Sequence, residues 1–354
     1  MPSPGLLRVG SVLLVVGVAA CADSVPVSPA RVSDAPSLAA STSDSNEPTM
    51  VSPQLDQINV QLANAKSNLR IAKAELRMND RYDGVTSTTI FANDRFRGVG
   101  AEWVKGDPRR DGNPGVTYQN ASGLGVRPFV INPDRATFAQ TSYAVLDQQV
   151  EEGMKAWRER ACSAAPITRV AIPAGTDPNQ LDQFFASVPP GAPSANYAQT
   201  ADIVLGGWMV PQFFRNIAIL SGSPPATGDN IIGITFSFIF VDQNNNATDI
   251  DRNKKADLGL SEIYYNARFV YDNSGLYDPR VIDFYSVLAH ESGHAFGLGH
   301  LGKIFVTKHD AADGLQLSDI KLAPKALMNA SYLAGRDEIT GLDNSQFCQI
   351  WASR

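Results

Sequence analysis

Four histidines occur among the 354 residues, and three of them, His290, His294 and His300, fall in a single short stretch. It runs His290-Glu-Ser-Gly-His294-Ala-Phe-Gly297-Leu-Gly-His300. On an α-helix, residues four apart lie one turn from each other on the same face, so His290 and His294 can offer imidazoles to one metal ion. Glu291 then stands beside the ion, placed to take a proton from an activated water and pass it to a leaving amine. Gly297 permits a sharp chain reversal that brings His300 round as a third ligand. Three neutral imidazoles with a fourth position open form a catalytic rather than a structural zinc site. The competing explanation is a chance cluster of histidines on a helix and its exit loop, and the number of fixed positions weighs against it.

Several elements must position these residues. Residues 284–296 are predicted as a helix with Asp283 as its cap. Leu146, Val150, Met154, Trp157 and Ala161 fall on one face of a second helix running to Cys162. The segments 167–172, 202–205 and 231–241 read as strands, and the last is rich in β-branched and aromatic residues. Residues 263–271 alternate in period two, as a half-buried strand should. Residues 81–140 read as short strands and loops, including the β-like run 86–91.

With these residues in view, the histidine stretch resembles the long zinc signature of the metzincin metallopeptidases. Ala326-Leu-Met328-Asn-Ala330-Ser-Tyr332 resembles the Met-turn of the matrixin branch, although Ala330 stands where proline is common. Met154-Lys-Ala-Trp157 resembles the first long helix of matrixin-like bacterial enzymes. Leu342-Asp-Asn344 through Trp351 resembles their final helix. Together the matches cover roughly residues 140 to 354.

The resemblance implies an α+β fold of the zincin type. In it a twisted, mostly parallel sheet lies over the active-site helix, with a small C-terminal subdomain below. It implies an edge strand that holds extended substrate by backbone hydrogen bonds, assigned here to 262–271. Met328 would support the metal without ligating it. Tyr332 would shape the substrate pocket or serve as a packed aromatic. The implied activity is zinc-dependent hydrolysis of peptide bonds in extracellular or periplasmic proteins. Two alternatives remain: a surface-anchored zinc-fold binding protein, and a scaffold without turnover. No matrixin pro-segment is matched in 54–110 and no cysteine occurs there. Asp107 is a candidate carboxylate for latency, or simply a turn aspartate.

A second metal is suggested by Asp249, Asp251, Asn253 and Asp257, which space oxygen ligands as some calcium loops do. The segment lacks the glycine and final acid of an EF-hand, and a solvated polar hairpin is the alternative. His309, beside Asp310, reads as a surface histidine.

The remaining features concern export and organisation. Residues 1–20 carry one basic residue, Arg8, and then an apolar run too short to span a bilayer, as a signal peptide does. Val18-Ala-Ala-Cys21 resembles a bacterial lipobox, which implies lipidation of Cys21 and anchoring to a membrane or cell surface; simple secretion is the alternative. Residues 21–53 hold eight Ser, five Pro, five Ala and no aromatic residue, the composition of a disordered tether. Leu55, Leu62, Leu69 and Leu76 recur every seventh residue and predict an amphipathic helix over 54–80. Its narrow stripe could support self-association, but packing on its own domain is favoured. An N-terminal extension or pro-segment over 81–115 and a catalytic domain over 116–354 complete the layout. An exported chain meets an oxidising compartment, so Cys162 and Cys348 are expected as one disulfide, with two buried thiols as the alternative. The formal net charge of −6 gives no basic surface for nucleic acid. A protein or peptide substrate is the expected partner.

Overall fold

The computed structural model describes residues 49–51, 53–78, 89–91, 117–119, 143–162, 167–169, 181–188, 202–250, 252, 255–272, 281–306, 320–332, 335 and 337–351. The chain divides into two units, Met1–Ala39 and Ala40–Arg354, and every described residue belongs to the second. The segment expected to be a signal peptide, Cys21, Asp107 and His309 lie outside the described residues. No helix among the described residues is long and apolar enough to cross a membrane.

In chain order the elements begin with β1 (Thr49–Val51), α1 (Pro53–Asn64), β2 (Leu69–Met78), β3 (Thr89–Phe91) and β4 (Thr117–Gln119). They continue with α2 (Tyr143–Arg158), β5 (Thr168–Arg169), α3 (Leu181–Phe184), β6 (Ile203–Met209), α4 (Pro211–Leu220) and α5 (Pro225–Gly228). Next come β7 (Ile231–Phe240), β8 (Leu258–Asn266), β9 (Val270–Asp272), β10 (Val281–Asp283) and α6 (Phe284–Ala295). Last are β11 (Lys303–Val306), β12 (Ile320–Ala323) and α7 (Gly341–Trp351).

Eight strands form one mixed sheet in the order β1-β3-β2-β7-β8-β6-β4-β5. The expectation of a mostly parallel sheet needs amending. Parallel pairing runs from β8 through β6 and β4 to β5, whereas the longest ladders, β2 with β7 and β7 with β8, are antiparallel. The edge-strand assignment is also wrong. β8 lies between β7 and β6, is buried on both faces and ends at Asn266, and Val270–Asp272 is a separate strand paired with β10. Burial on both sides explains the failure, because the tyrosines of Ile263-Tyr-Tyr265 are interior residues rather than the wet face of a half-buried strand.

The helix predicted over 54–80 is corrected as well. α1 stops at Asn64, Lys66 adopts a left-handed backbone (φ 57°), and the chain re-enters as β2. Leu69 and Leu76 continue the heptad of α1 by coincidence. A bulge after Ile71 in the β2–β7 ladder shifts the register, so Leu69, Ile71, Ala74 and Leu76 all oppose Phe240, Phe238, Phe236 and Ile234. The same shift puts Arg70, Lys73, Glu75 and Arg77 together on the opposite face. Asn59 of α1 stabilises the bulge, its amide donating to the Ile71 carbonyl (2.9 Å) and its oxygen accepting from the Ile71 N–H (2.7 Å). Leu55, Ile58 and Leu62 are buried, so the apolar stripe of α1 is spent inside the chain. Thr49–Val51 pairs with β3, so the last residues of the proposed tether belong to the sheet, as does part of the proposed extension.

The faces of the sheet carry different helices. On the face of Phe236 and Tyr264, Phe185 stacks on Phe236 and Phe213 of α4 packs on Tyr264. On the face of Thr235 lies α6, which is buried along its whole length and backed by α2. Trp157 of α2 donates its indole N–H to the Ala289 carbonyl at 2.9 Å. Cys162 and Cys348 form a disulfide that ties the end of α2 to α7. It closes a loop with a sequence separation of 186. Replacing both cysteines by serine is expected to lower stability by about 2–4 kcal/mol, read from the denaturant midpoint of the full chain. An unchanged midpoint would show that the bridge adds nothing to α7 packing.

Candidate metal centre

Asp283 caps α6 as expected, its Oδ1 accepting from the Ser286 N–H at 2.9 Å and the Ser286 hydroxyl at 2.7 Å. One turn of helix separates His290 from His294. After Ala295 the chain reverses at Gly297 (φ 89°), a conformation that disfavours side chains, and returns His300 to the same point. His294 Nε2 lies 3.0 Å from His290 Nε2 and 3.0 Å from His300 Nε2. The three are the one group of three or more His, Cys, Asp or Glu side chains with metal-ligand spacing among the described residues.

The outer ring nitrogens fix the tautomers. His290 Nδ1 lies 2.8 Å from the Leu327 carbonyl and His294 Nδ1 2.9 Å from the Leu298 carbonyl. A carbonyl can only accept, so each Nδ1 carries the hydrogen and each Nε2 keeps its lone pair. Burial, then the charge of Arg77 and the neighbouring histidines, pushes His290 well below the usual imidazole range, so the ring is neutral as a ligand must be. Lone pairs converging at this distance repel one another unless a cation lies between them. The donor set therefore fits a metal ion. Three imidazoles suit zinc among other transition metals.

Glu291 is fully buried against β7. The Thr235 hydroxyl donates to its Oε2 at 2.6 Å, while Oε1 has no hydrogen-bond partner among the described residues. Burial pushes the Glu291 carboxyl up to about 8, against the Thr235 hydrogen bond and the charge of Arg77. A Cβ at Gly233 would come within 2.9 Å of Oε1, so a side chain at this position of β7 would crowd the carboxylate.

The turn containing Met328 lies directly beneath. A Cβ on Gly293 would collide with Met328 Sδ, the Leu327 carbonyl holds His290, and the Met328 carbonyl accepts from the Leu301 N–H at 2.7 Å. Asp343 fixes the turn from α7, accepting from the Leu327 N–H (2.9 Å) and the Met328 N–H (3.0 Å). Tyr332 does not line an open pocket. It is buried, its hydroxyl accepts from the Asp283 N–H (3.0 Å) and donates to the Gly335 carbonyl (3.1 Å), and it braces the start of α6.

Sequence reasoning missed the charged residues that β2 places behind the metal-facing helix. Glu75 Oε2 lies 3.1 Å from His294 Nδ1 and 2.8 Å from Lys73 Nζ. Burial raises this carboxyl, and the Lys73 ammonium together with the His294 N–H that faces it pulls it below the usual carboxylate range. Arg77 donates to the Ser286 carbonyl (2.8 Å) and Asp337 (2.9 Å) and lies over the Tyr332 ring. The bulge would have been needed to foresee either contact. Asp343 was legible, since Thr340-x-x-Asp343 is a capping-box pattern.

Of the proposed calcium residues, only Asp249 and Asp257 are among the described residues. Asp257 is buried and accepts from the Ile250 N–H at 3.1 Å, closing the hairpin, while Asp251 and Asn253 lie outside the described residues. No protein-family model matches the chain, and no curated protein matches it.

Proposed function

We propose that the chain is a zinc-dependent endopeptidase of the matrixin-like metzincin type, exported and anchored through a lipid on Cys21. The observation that carries this is the convergence of the His290, His294 and His300 Nε2 atoms, with Glu291 next in sequence to the first of them and one of its buried oxygens without a hydrogen-bond partner among the described residues. Zinc held there would act as a Lewis acid toward a peptide carbonyl and bring the pKa of water near 7. Glu291 takes the proton from the attacking water and returns it to the leaving amine. Thr235 orients that carboxylate, and Met328 with Asp343 keeps the floor of the site rigid.

One observation favours the second possibility, a zinc-fold binding protein without turnover. His290, His294 and Glu291 are fully buried, and β8, which holds most of the segment assigned to extended substrate, is paired with β7 on one edge and β6 on the other. Incubating the full chain with a denatured protein separates the two. Cleavage that stops with a zinc chelator and returns with zinc supports the peptidase. Bound zinc without cleavage contradicts it.

A further inference from the structure

The metal centre draws on a residue from the other end of the chain. Glu75 is on β2, opposite Thr235 in the β2–β7 ladder, and so faces α6 on the same side of the sheet as the hydroxyl that holds Glu291. Its side chain is 1% exposed. A buried carboxylate is costly unless positive groups or donors face it. Two do: the Lys73 ammonium at 2.8 Å, and His294 Nδ1 at 3.1 Å. No hydrogen bond reaches either Glu75 oxygen among the described residues, so these two close ion-pair contacts are what offsets its burial. His294 Nδ1 thus faces two acceptors, Glu75 Oε2 and the Leu298 carbonyl, which together keep its hydrogen on that nitrogen and the lone pair on Nε2. The bulge in β2 makes this possible, because it sets Lys73, Glu75 and Arg77 on the metal face while Leu69 and Ile71 pack on the other.

We propose that Glu75 is a positioning residue of the metal centre: from β2 it holds the His294 ring in its ligating tautomer and orientation and strengthens it as a donor. This rests on the metal-binding reading of the three histidines. A carboxylate behind a ligating imidazole raises its basicity, and loss of such a partner typically costs about 10–100-fold in metal affinity. The centre is then a joint product of α6 and the N-terminal strand.

The test is competition titration of zinc into the full chain, wild type against Glu75→Gln, which keeps the shape and removes the charge. The visible spectrum with cobalt in place of zinc is recorded on the same samples. Zinc affinity about 10–100-fold weaker, with a shifted cobalt spectrum in a folded variant, is the expected result. A spectral shift separates this role from a purely structural one, because a carboxylate that only supported packing would leave the cobalt bands in place. A folded variant with wild-type affinity and an unchanged spectrum would overturn the proposal. If Glu75→Gln does not fold, Glu75→Asp keeps the charge and withdraws it by one methylene. Weaker zinc binding by Glu75→Asp supports the role, and wild-type binding overturns it. Failure of the wild type itself to bind zinc would overturn the metal centre and this proposal with it, which distinguishes the two failures.

Discussion

Glu291→Gln is expected to lower peptide hydrolysis by at least about 10²–10⁴-fold while leaving one zinc bound per chain. The amide keeps the size of the side chain, and an oxygen can still accept from Thr235, which now reaches Oε2 at 2.6 Å. What is lost is the ability to take up a proton. A factor of that size corresponds to about 3–5 kcal/mol in the barrier. The fold should survive, because the charge removed is fully buried and burial already disfavours its ionised form. Turnover and zinc content measured on one preparation decide the matter. Wild-type turnover in the variant would take Glu291 out of the mechanism, and loss of zinc would make it a structural residue of the site.

Arg77→Ala should have the largest effect on stability. Arg77 joins β2 to the start of α6 through the Ser286 carbonyl and to the C-terminal segment through Asp337, and its guanidinium covers the Tyr332 ring at 5.2 Å. Asp337 is 9% exposed, and burial already pushes its carboxyl up against the charge of Arg77. Removing the cation strands that carboxylate, and breaking a buried pair from one side costs about 3–5 kcal/mol. Lys325, at 4.0 Å from Asp337, is largely exposed and recovers little of this. Denaturant unfolding of the two full-length chains measures the difference. A loss below about 1 kcal/mol would mean that Asp337 finds water or another partner when Arg77 is gone.

What was legible in the sequence was local. The i, i+4 histidines, the Asp283 cap and the Gly297 reversal depend on residues within a few turns of one another, and each appears where its spacing requires. The cysteine pair followed from compartment chemistry rather than geometry, and it forms. The errors arose where burial or distant pairing decides. The leucine heptad from Leu55 to Leu76 carries the same apolar spacing whether its second half is helix or bulged strand, and pairing with β7 makes it strand. For Tyr332 the sequence left open pocket lining or a packed aromatic, and burial with hydrogen bonds to Asp283 and Gly335 makes it the packed aromatic. Glu75 and Arg77 meet α6 only once β2 has paired with β7, across more than two hundred residues. No periodicity encodes such contacts.

His290, His294 and His300 are expected to bind one zinc ion together. X-ray absorption at the zinc edge, on full-length chain loaded with one equivalent of zinc, tests it most directly. Three imidazole nitrogens at about 2.0–2.1 Å with one further light-atom ligand are expected, reduced to two nitrogens in His300→Ala. Sulfur scattering, an all-oxygen shell, or a spectrum indifferent to His300→Ala would contradict it.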